Sequence, residues 1–146
     1  MKILFICKYN RFRSRIAEAY FNKVNKNPNI QAEGAGIIQG WFPLDESEIE
    51  TAKEFDLDAD GQPRALSTEL LRQQDKIIIV ANNVPESIFE KVMIADNTPA
   101  SFSEGKNLIV WKIQDEEKGD KENIRKIIKS IMSNVDNLVI ELKEEK

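Results

Sequence analysis

Short apolar runs alternate with longer amphipathic segments along this chain. The runs at residues 2–6, 76–81 and 106–113 are too brief for helices and rich in Ile, Val and Phe, which is typical of buried parallel strands. Residues 30–36 can supply a further strand that ends in a Gly-Ala-Gly turn. The pattern therefore predicts four strands.

Helical periodicity fills the segments between these runs. It predicts helices over residues 14–24, 45–55 and 67–73, with Asp45 and either Ser67 or Thr68 as N-caps, and Pro85 marks the start of another. Trp41 and Phe42 fall in a loop, where we expect them to pack on the domain. The last helix is the clearest, because one apolar face is formed by Ile124, Ile127, Ile128, Ile131, Val135, Leu138, Val139 and Leu142. The charged residues 141–146 are expected to fray.

This alternation predicts an α/β fold, a single three-layer doubly wound domain over residues 1–146 with a four-stranded parallel sheet. In such folds ligands bind at the carboxyl ends of the strands, near the point where the strand order reverses. The loop after the first strand lies at that point. We therefore expect the functional site to begin at Cys7, where the first strand ends.

The composition limits the classes of partner and the cellular compartment that we expect. The net charge of −4 argues against a nucleic-acid partner, and no apolar run approaches the roughly 20 residues that span a bilayer, so no membrane partner is expected. The single cysteine cannot form an internal disulfide, and a free thiol persists best in a reducing compartment. These features favour a cytoplasmic protein. No metal or other cofactor is expected, because the chain has no histidine and no cysteine cluster.

The segment from Cys7 to Ser14 carries the strongest chemical signal. A strand that ends in cysteine and turns into a helix directs backbone N–H groups and the positive helix end at one point, which favours an anion and a nucleophilic thiolate. Arg13 can grip two oxygens of a tetrahedral anion, and Ser14 can hydrogen-bond the sulfur. We expect phosphate to bind the loop residues Lys8, Tyr9, Asn10, Arg11, Phe12, Arg13 and Ser14.

Asp115, which follows the fourth predicted strand, is the best candidate for an acid that protonates the leaving oxygen. The predicted reaction is attack of the Cys7 thiolate on phosphorus, followed by hydrolysis of the phosphocysteine. Asp120 is the nearest competing acid. The predicted catalytic residues are thus Cys7, Arg13 and Asp115, and the substrate is a phosphorylated protein or a small phosphomonoester.

The Cys-x5-Arg-Ser motif with an asparagine three residues after the cysteine resembles the signature of the low-molecular-weight protein tyrosine phosphatase family. Cys7, Asn10, Arg13 and Ser14 match it, and the likeness continues through residues 17–19, 34–36 and 75–80 to Asp115. The resemblance implies a phosphotyrosine phosphatase with Cys7 as nucleophile, Arg13 as phosphate clamp and Asp115 as general acid. Family members often carry an aspartate at Asn82 and Asp-Pro where this chain reads Asp-Glu-Glu.

Two other activities fit the same loop. The sequence is also similar to the arsenate reductase branch of the family, since arsenate mimics phosphate. With one cysteine, such a reductase would need an external thiol donor. A non-catalytic phosphate-binding regulatory module is the third hypothesis, motivated by Asn82, Glu116 and Glu117.

Overall fold

The computed structural model describes residues 1–40, 43–89, 108–117 and 119–144. Four strands, β1 Lys2–Cys7, β2 Gln31–Gly36, β3 Lys76–Val80 and β4 Leu108–Trp111, form a parallel sheet in the order β2-β1-β3-β4. The chain leaves β1 towards one side of the sheet and later returns to its other side, so the order reverses beside β1. The predicted α/β fold class is confirmed.

The helices of the described residues include α1 Arg13–Val24, α2 Glu46–Glu54, α3 Thr68–Arg72 and α4 Lys121–Glu144. Residues 87–89 are also helical, just beyond Pro85. The prediction of a frayed end from residue 141 is wrong for residues 141–144, which continue α4. Leu142 explains this, because its side chain is buried against the core and holds the last turn.

The predicted fourth strand was too long at its end, since β4 stops at Trp111 and residues 112 and 113 are not in the sheet. Ile113 is nevertheless buried, so an apolar side chain there marks core packing rather than strand pairing. The start of that predicted strand at residues 106 and 107 lies outside the described residues, as do Trp41 and Phe42.

Apolar side chains cover both faces of the sheet. Side chains of β1 and β3 alternate between two clusters, so Phe5 and Ile78 pack with α1 and α4 while Leu4 and Ile77 pack with Leu71 of α3. A sheet covered on both faces exposes only its edges and strand ends to ligands. Within the described part of the chain, no helix is both long and apolar enough to cross a membrane.

Candidate active site

The loop between β1 and α1 surrounds the end of the central strand. Cys7 is the last residue of β1, and Arg13 is the first residue of α1. Asn10 adopts a φ of 54°, in the left-handed region that asparagine tolerates better than most residues. Its Oδ1 accepts a hydrogen bond from the backbone N–H of Arg64 at 3.0 Å. The loop is thus held in its turn by a contact from a distant part of the chain.

Cys7, Ser14 and Asn10 form a buried hydrogen-bonded chain. The sulfur of Cys7 lies 3.0 Å from Ser14 Oγ, and Asn10 Nδ2 donates to that same oxygen at 2.7 Å. Because the hydroxyl oxygen accepts from Asn10, its own hydrogen is available to the sulfur. Such a hydroxyl can stabilise negative charge on Cys7, which is itself only 2% exposed.

The end of β2 and the residues just after it pack closely against the loop. The backbone N–H groups of Ile37 and Ile38 donate to the carbonyls of Cys7 and Lys8 at 3.2 and 3.0 Å. A Cβ on Gly36 would lie 2.5 Å from the carbonyl carbon of Tyr9, so this position has no room for a side chain. The Gly-Ala-Gly turn therefore allows the close approach that shapes the loop.

Arg13 links the loop to the ends of β3 and β4. Its Nη1 donates to the carbonyl of Ile113 at 2.8 Å, and its Nη2 donates to Asn83 Oδ1 at 3.0 Å. The same Nη2 lies 2.9 Å from Asp115 Oδ1. Since the Arg13 side chain is only 2% exposed, its guanidinium is fixed in direction.

Asp115 is brought to this guanidinium although about a hundred residues separate it from the loop. Its side chain is 59% exposed, so an incoming substrate can reach it. Asn83 Nδ2 donates to Asp115 Oδ2 at 3.1 Å, so Asn83 bridges Arg13 and Asp115. Sequence reasoning singled out Asn82 and missed Asn83, whose only sequence signal is its position just after β3 at the carboxyl edge of the sheet.

The remaining loop side chains do not all face the same point. Phe12 packs in the core, and the ammonium of Lys8 lies 5.3 Å from the ring centroid of Tyr9. Arg11 Nη2 donates to Glu48 Oε1 at 2.8 Å and to the carbonyl of Pro43 at 2.9 Å. Phe12 and Arg11 would therefore serve an anion through their backbone N–H groups, and their roles stay predictions.

Glu116 lies beside Arg11 and Glu48, with its Oε2 3.8 Å from Arg11 Nη1. Burial, reinforced by a hydrogen bond that Glu116 donates to Glu48 and by the negative charge of Glu48, raises the pKa of Glu116 to about 9, and the charge of Asp115 adds to the effect. In the sequence, Glu116 stood out only as a departure from the family pattern and as a reason to consider a regulatory module. A neutral carboxylic acid thus directly follows the predicted general acid.

Across the residues that the structure describes, no group of three or more His, Cys, Asp or Glu side chains could hold a metal ion. The loop after Cys7 instead leads to Arg13 and the N-terminus of α1, and both favour an anion.

Together the reversed strand order, the cysteine at the end of β1 and the arginine at the start of α1 define an α/β protein whose loop after the first strand carries a cysteine and an arginine at the carboxyl edge of the sheet. The profile of the family described as low molecular weight phosphotyrosine protein phosphatase matches residues 2–146, so the chain belongs to that family. This confirms the family resemblance noted in the sequence. A search of curated protein sequences found no match.

Solved structures share the fold at low sequence identity. The YwlE arginine phosphatase from Geobacillus stearothermophilus matches with a TM-score of 0.79 and 19% identity over 99% of this chain and 94% of that chain. A low molecular weight protein tyrosine phosphatase from T. tengcongensis gives 0.73 and 22%, covering 97% and 99%. An arsenate reductase from Archaeoglobus fulgidus gives 0.67 and 24%, covering 94% and 98%.

Proposed function

We propose that this protein is a cysteine-dependent phosphomonoester hydrolase that acts through a phosphocysteine intermediate. The observation that carries the proposal is that the first two residues of α1 contact both predicted reacting side chains: Ser14 Oγ lies 3.0 Å from the sulfur of Cys7, and Arg13 Nη2 lies 2.9 Å from the carboxylate of Asp115. Membership of the phosphatase family supports the same chemistry.

In the first step the Cys7 thiolate attacks phosphorus, a sulfur–phosphorus bond forms, and the bond to the leaving oxygen breaks. Protonated Asp115 gives its proton to that oxygen, which leaves as an alcohol or phenol. The N–H groups of the loop and the guanidinium of Arg13 stabilise the charge on the equatorial oxygens. Binding of a phosphate to Arg13 competes with Asp115 for Nη2, which frees the carboxyl for its acid role.

In the second step water attacks phosphorus and the sulfur leaves as thiolate. Asp115, now a carboxylate, takes the proton of the water, so inorganic phosphate is released and the site returns to its starting state. The Ser14 hydroxyl, which accepts from Asn10, can donate to the departing sulfur. Each step is balanced without a metal or a redox partner.

The test is hydrolysis of p-nitrophenyl phosphate and phenyl phosphate by the wild type, Cys7→Ser and Asp115→Asn. We expect no turnover in Cys7→Ser, because serine is a far weaker nucleophile at neutral pH. Asp115→Asn should lose about 100-fold or more with phenyl phosphate, whose leaving group needs a proton, and less with p-nitrophenyl phosphate. A rate unchanged in Cys7→Ser would refute the phosphocysteine mechanism.

The structural neighbours widen the substrate panel. They include an arginine phosphatase and arsenate reductases, one of them thioredoxin-dependent. Arsenate reduction by this chain would need an external thiol donor, because Cys7 is its only cysteine. Phosphotyrosine, phosphoarginine and arsenate with thioredoxin or glutathione should therefore be assayed in parallel. Turnover of arsenate without phosphate-ester hydrolysis would favour the reductase, and phosphate binding without any turnover would favour a regulatory module.

A further inference from the structure

Arg11, Glu48 and Glu116 form a buried charged cluster behind the loop. Their side chains are 10%, 0% and 4% exposed, so all three are almost completely removed from water. They come from the loop after β1, from the first turn of α2 and from the segment after β4. The cluster therefore joins three parts of the chain that the sequence keeps far apart.

The hydrogen bonds of Glu48 indicate where a protonated carboxyl fits in the cluster. Glu48 Oε1 accepts from Arg11 Nη2 at 2.8 Å and from the backbone N–H of Asp45 at 3.1 Å. Glu48 Oε2 is buried, and among the described residues no amide, guanidinium or hydroxyl donates a hydrogen bond to it. A protonated Glu116 carboxyl beside it would supply the missing donor.

The surroundings of Glu116 agree with that protonation state. Within the described parts of the chain, the charged groups that face it are Glu48 of α2, Arg11 of the loop and the neighbouring Asp115. Burial and the two carboxylates raise its pKa, and the guanidinium of Arg11 is paired with Glu48 at a shorter distance than with Glu116. One arginine cannot balance two buried carboxylates, so the neutral form of Glu116 is favoured.

Asp115 and Glu116 are neighbours with opposite surroundings. Consecutive Cα atoms are about 3.8 Å apart, so fixing one side chain restricts where its neighbour can lie. Glu116 is anchored in the interior, whereas Asp115 is 59% exposed and contacts Arg13.

We propose that Glu116, in its neutral form, is a positioning residue that ties the Asp115 segment to Arg11 and Glu48. The inference rests on the proposed phosphatase function and deepens it. Glu116 does not touch the reacting atoms. Its ionisation would place a second negative charge against Glu48, and the repulsion would move Asp115 away from the leaving oxygen.

The experiment compares the wild type with Glu116→Gln and Glu116→Ala, using Glu117→Gln as the matched control on the adjacent exposed glutamate. Gln is neutral and its amide can donate to Glu48 Oε2, so Glu116→Gln should retain the rate within about twofold. Glu116→Ala should lose about tenfold or more in kcat with phenyl phosphate, less with p-nitrophenyl phosphate, and change KM little. Glu117→Gln should behave as the wild type.

A pH profile separates positioning from a general loss of structure. The wild-type rate with phenyl phosphate should fall as the pH approaches about 9, and this alkaline fall should be weakened in Glu116→Gln, which cannot ionise. The comparison of these two proteins decides the question even where Glu116→Ala does not fold. An identical alkaline fall in both would overturn the inference.

These assays distinguish a failure of the phosphatase function from a failure of the positioning role of Glu116. Absence of turnover in the wild type would overturn the phosphatase and the positioning role together. A wild type that is active and sensitive to Asp115→Asn, with equal losses on both substrates in Glu116→Ala, would overturn the positioning role alone.

Discussion

Replacing Glu116 by glutamine should change how the stability of the protein depends on pH. The native state holds the Glu116 carboxyl beside Glu48, where burial raises its pKa from 4.5 to about 9. The unfolded chain leaves the same carboxyl in water with its ordinary pKa. Between these two values the native state keeps a proton that the unfolded chain has released.

The sign and size of the effect follow from that difference in bound protons. Because the pKa is raised in the native state, the contribution of the Glu116 proton to stability is complete below pH 4.5 and is lost as the pH rises towards about 9. Within that window the free energy of unfolding falls by about 1.4 kcal/mol per pH unit from this group. Glutamine does not titrate, so Glu116→Gln is free of this pH-dependent loss. The free energy of unfolding of Glu116→Gln relative to the wild type should therefore rise by about 3 kcal/mol between about pH 6 and about pH 8.

The assay is urea unfolding of the wild type and Glu116→Gln, followed by far-UV circular dichroism at several pH values in that range. Other groups titrate in both proteins, so the difference between them isolates position 116. Glu117→Gln serves as the control, because Glu117 is exposed and its replacement should leave the slope unchanged. A difference between wild type and Glu116→Gln that is flat with pH would refute a buried neutral carboxyl.

Two further substitutions test the loop and the core. Gly36→Ala should abolish hydrolysis of p-nitrophenyl phosphate, because its Cβ would meet the backbone of Tyr9 at 2.5 Å, and wild-type activity in this variant would contradict this explanation. Ile128→Ala should lower the free energy of unfolding by about 2–5 kcal/mol, since this side chain is fully buried. Ile140→Ala on the same helix should change it by less than about 0.5 kcal/mol, because Ile140 is 54% exposed, and similar urea midpoints for the two variants would argue against the assigned face of α4.

The elements that the sequence predicts well are those with a strong local cause. The strands β1 and β3 are short runs of Ile, Val and Phe, and α4 has an unbroken apolar face, so pattern alone places them closely. Their ends are less certain because packing decides them. Ile113 extends the apolar run past β4, and Leu142 extends α4 past the residues expected to fray.

The site divides in the same way. Cys7, Asn10, Arg13 and Ser14 could be proposed from the motif because a loop between a strand and a helix is a local structure. Asn83 could not, because its contacts with Arg13 and Asp115 arise only when the ends of β3 and β4 lie side by side. Long-range hydrogen bonds of this kind leave no periodic signal.

Glu48 shows how a local signal can conceal a distant role. Its Oε1 accepts the backbone N–H of Asp45 in a capping box, a motif that the spacing Asp-x-x-Glu announces. The same oxygen also accepts from Arg11 of the loop, and its partner Oε2 is left for Glu116. One carboxylate thus fixes the start of α2, the loop after β1 and the segment that carries Asp115. The geometry around Asp115 therefore depends on the capping of α2, although the two are separate features of the sequence.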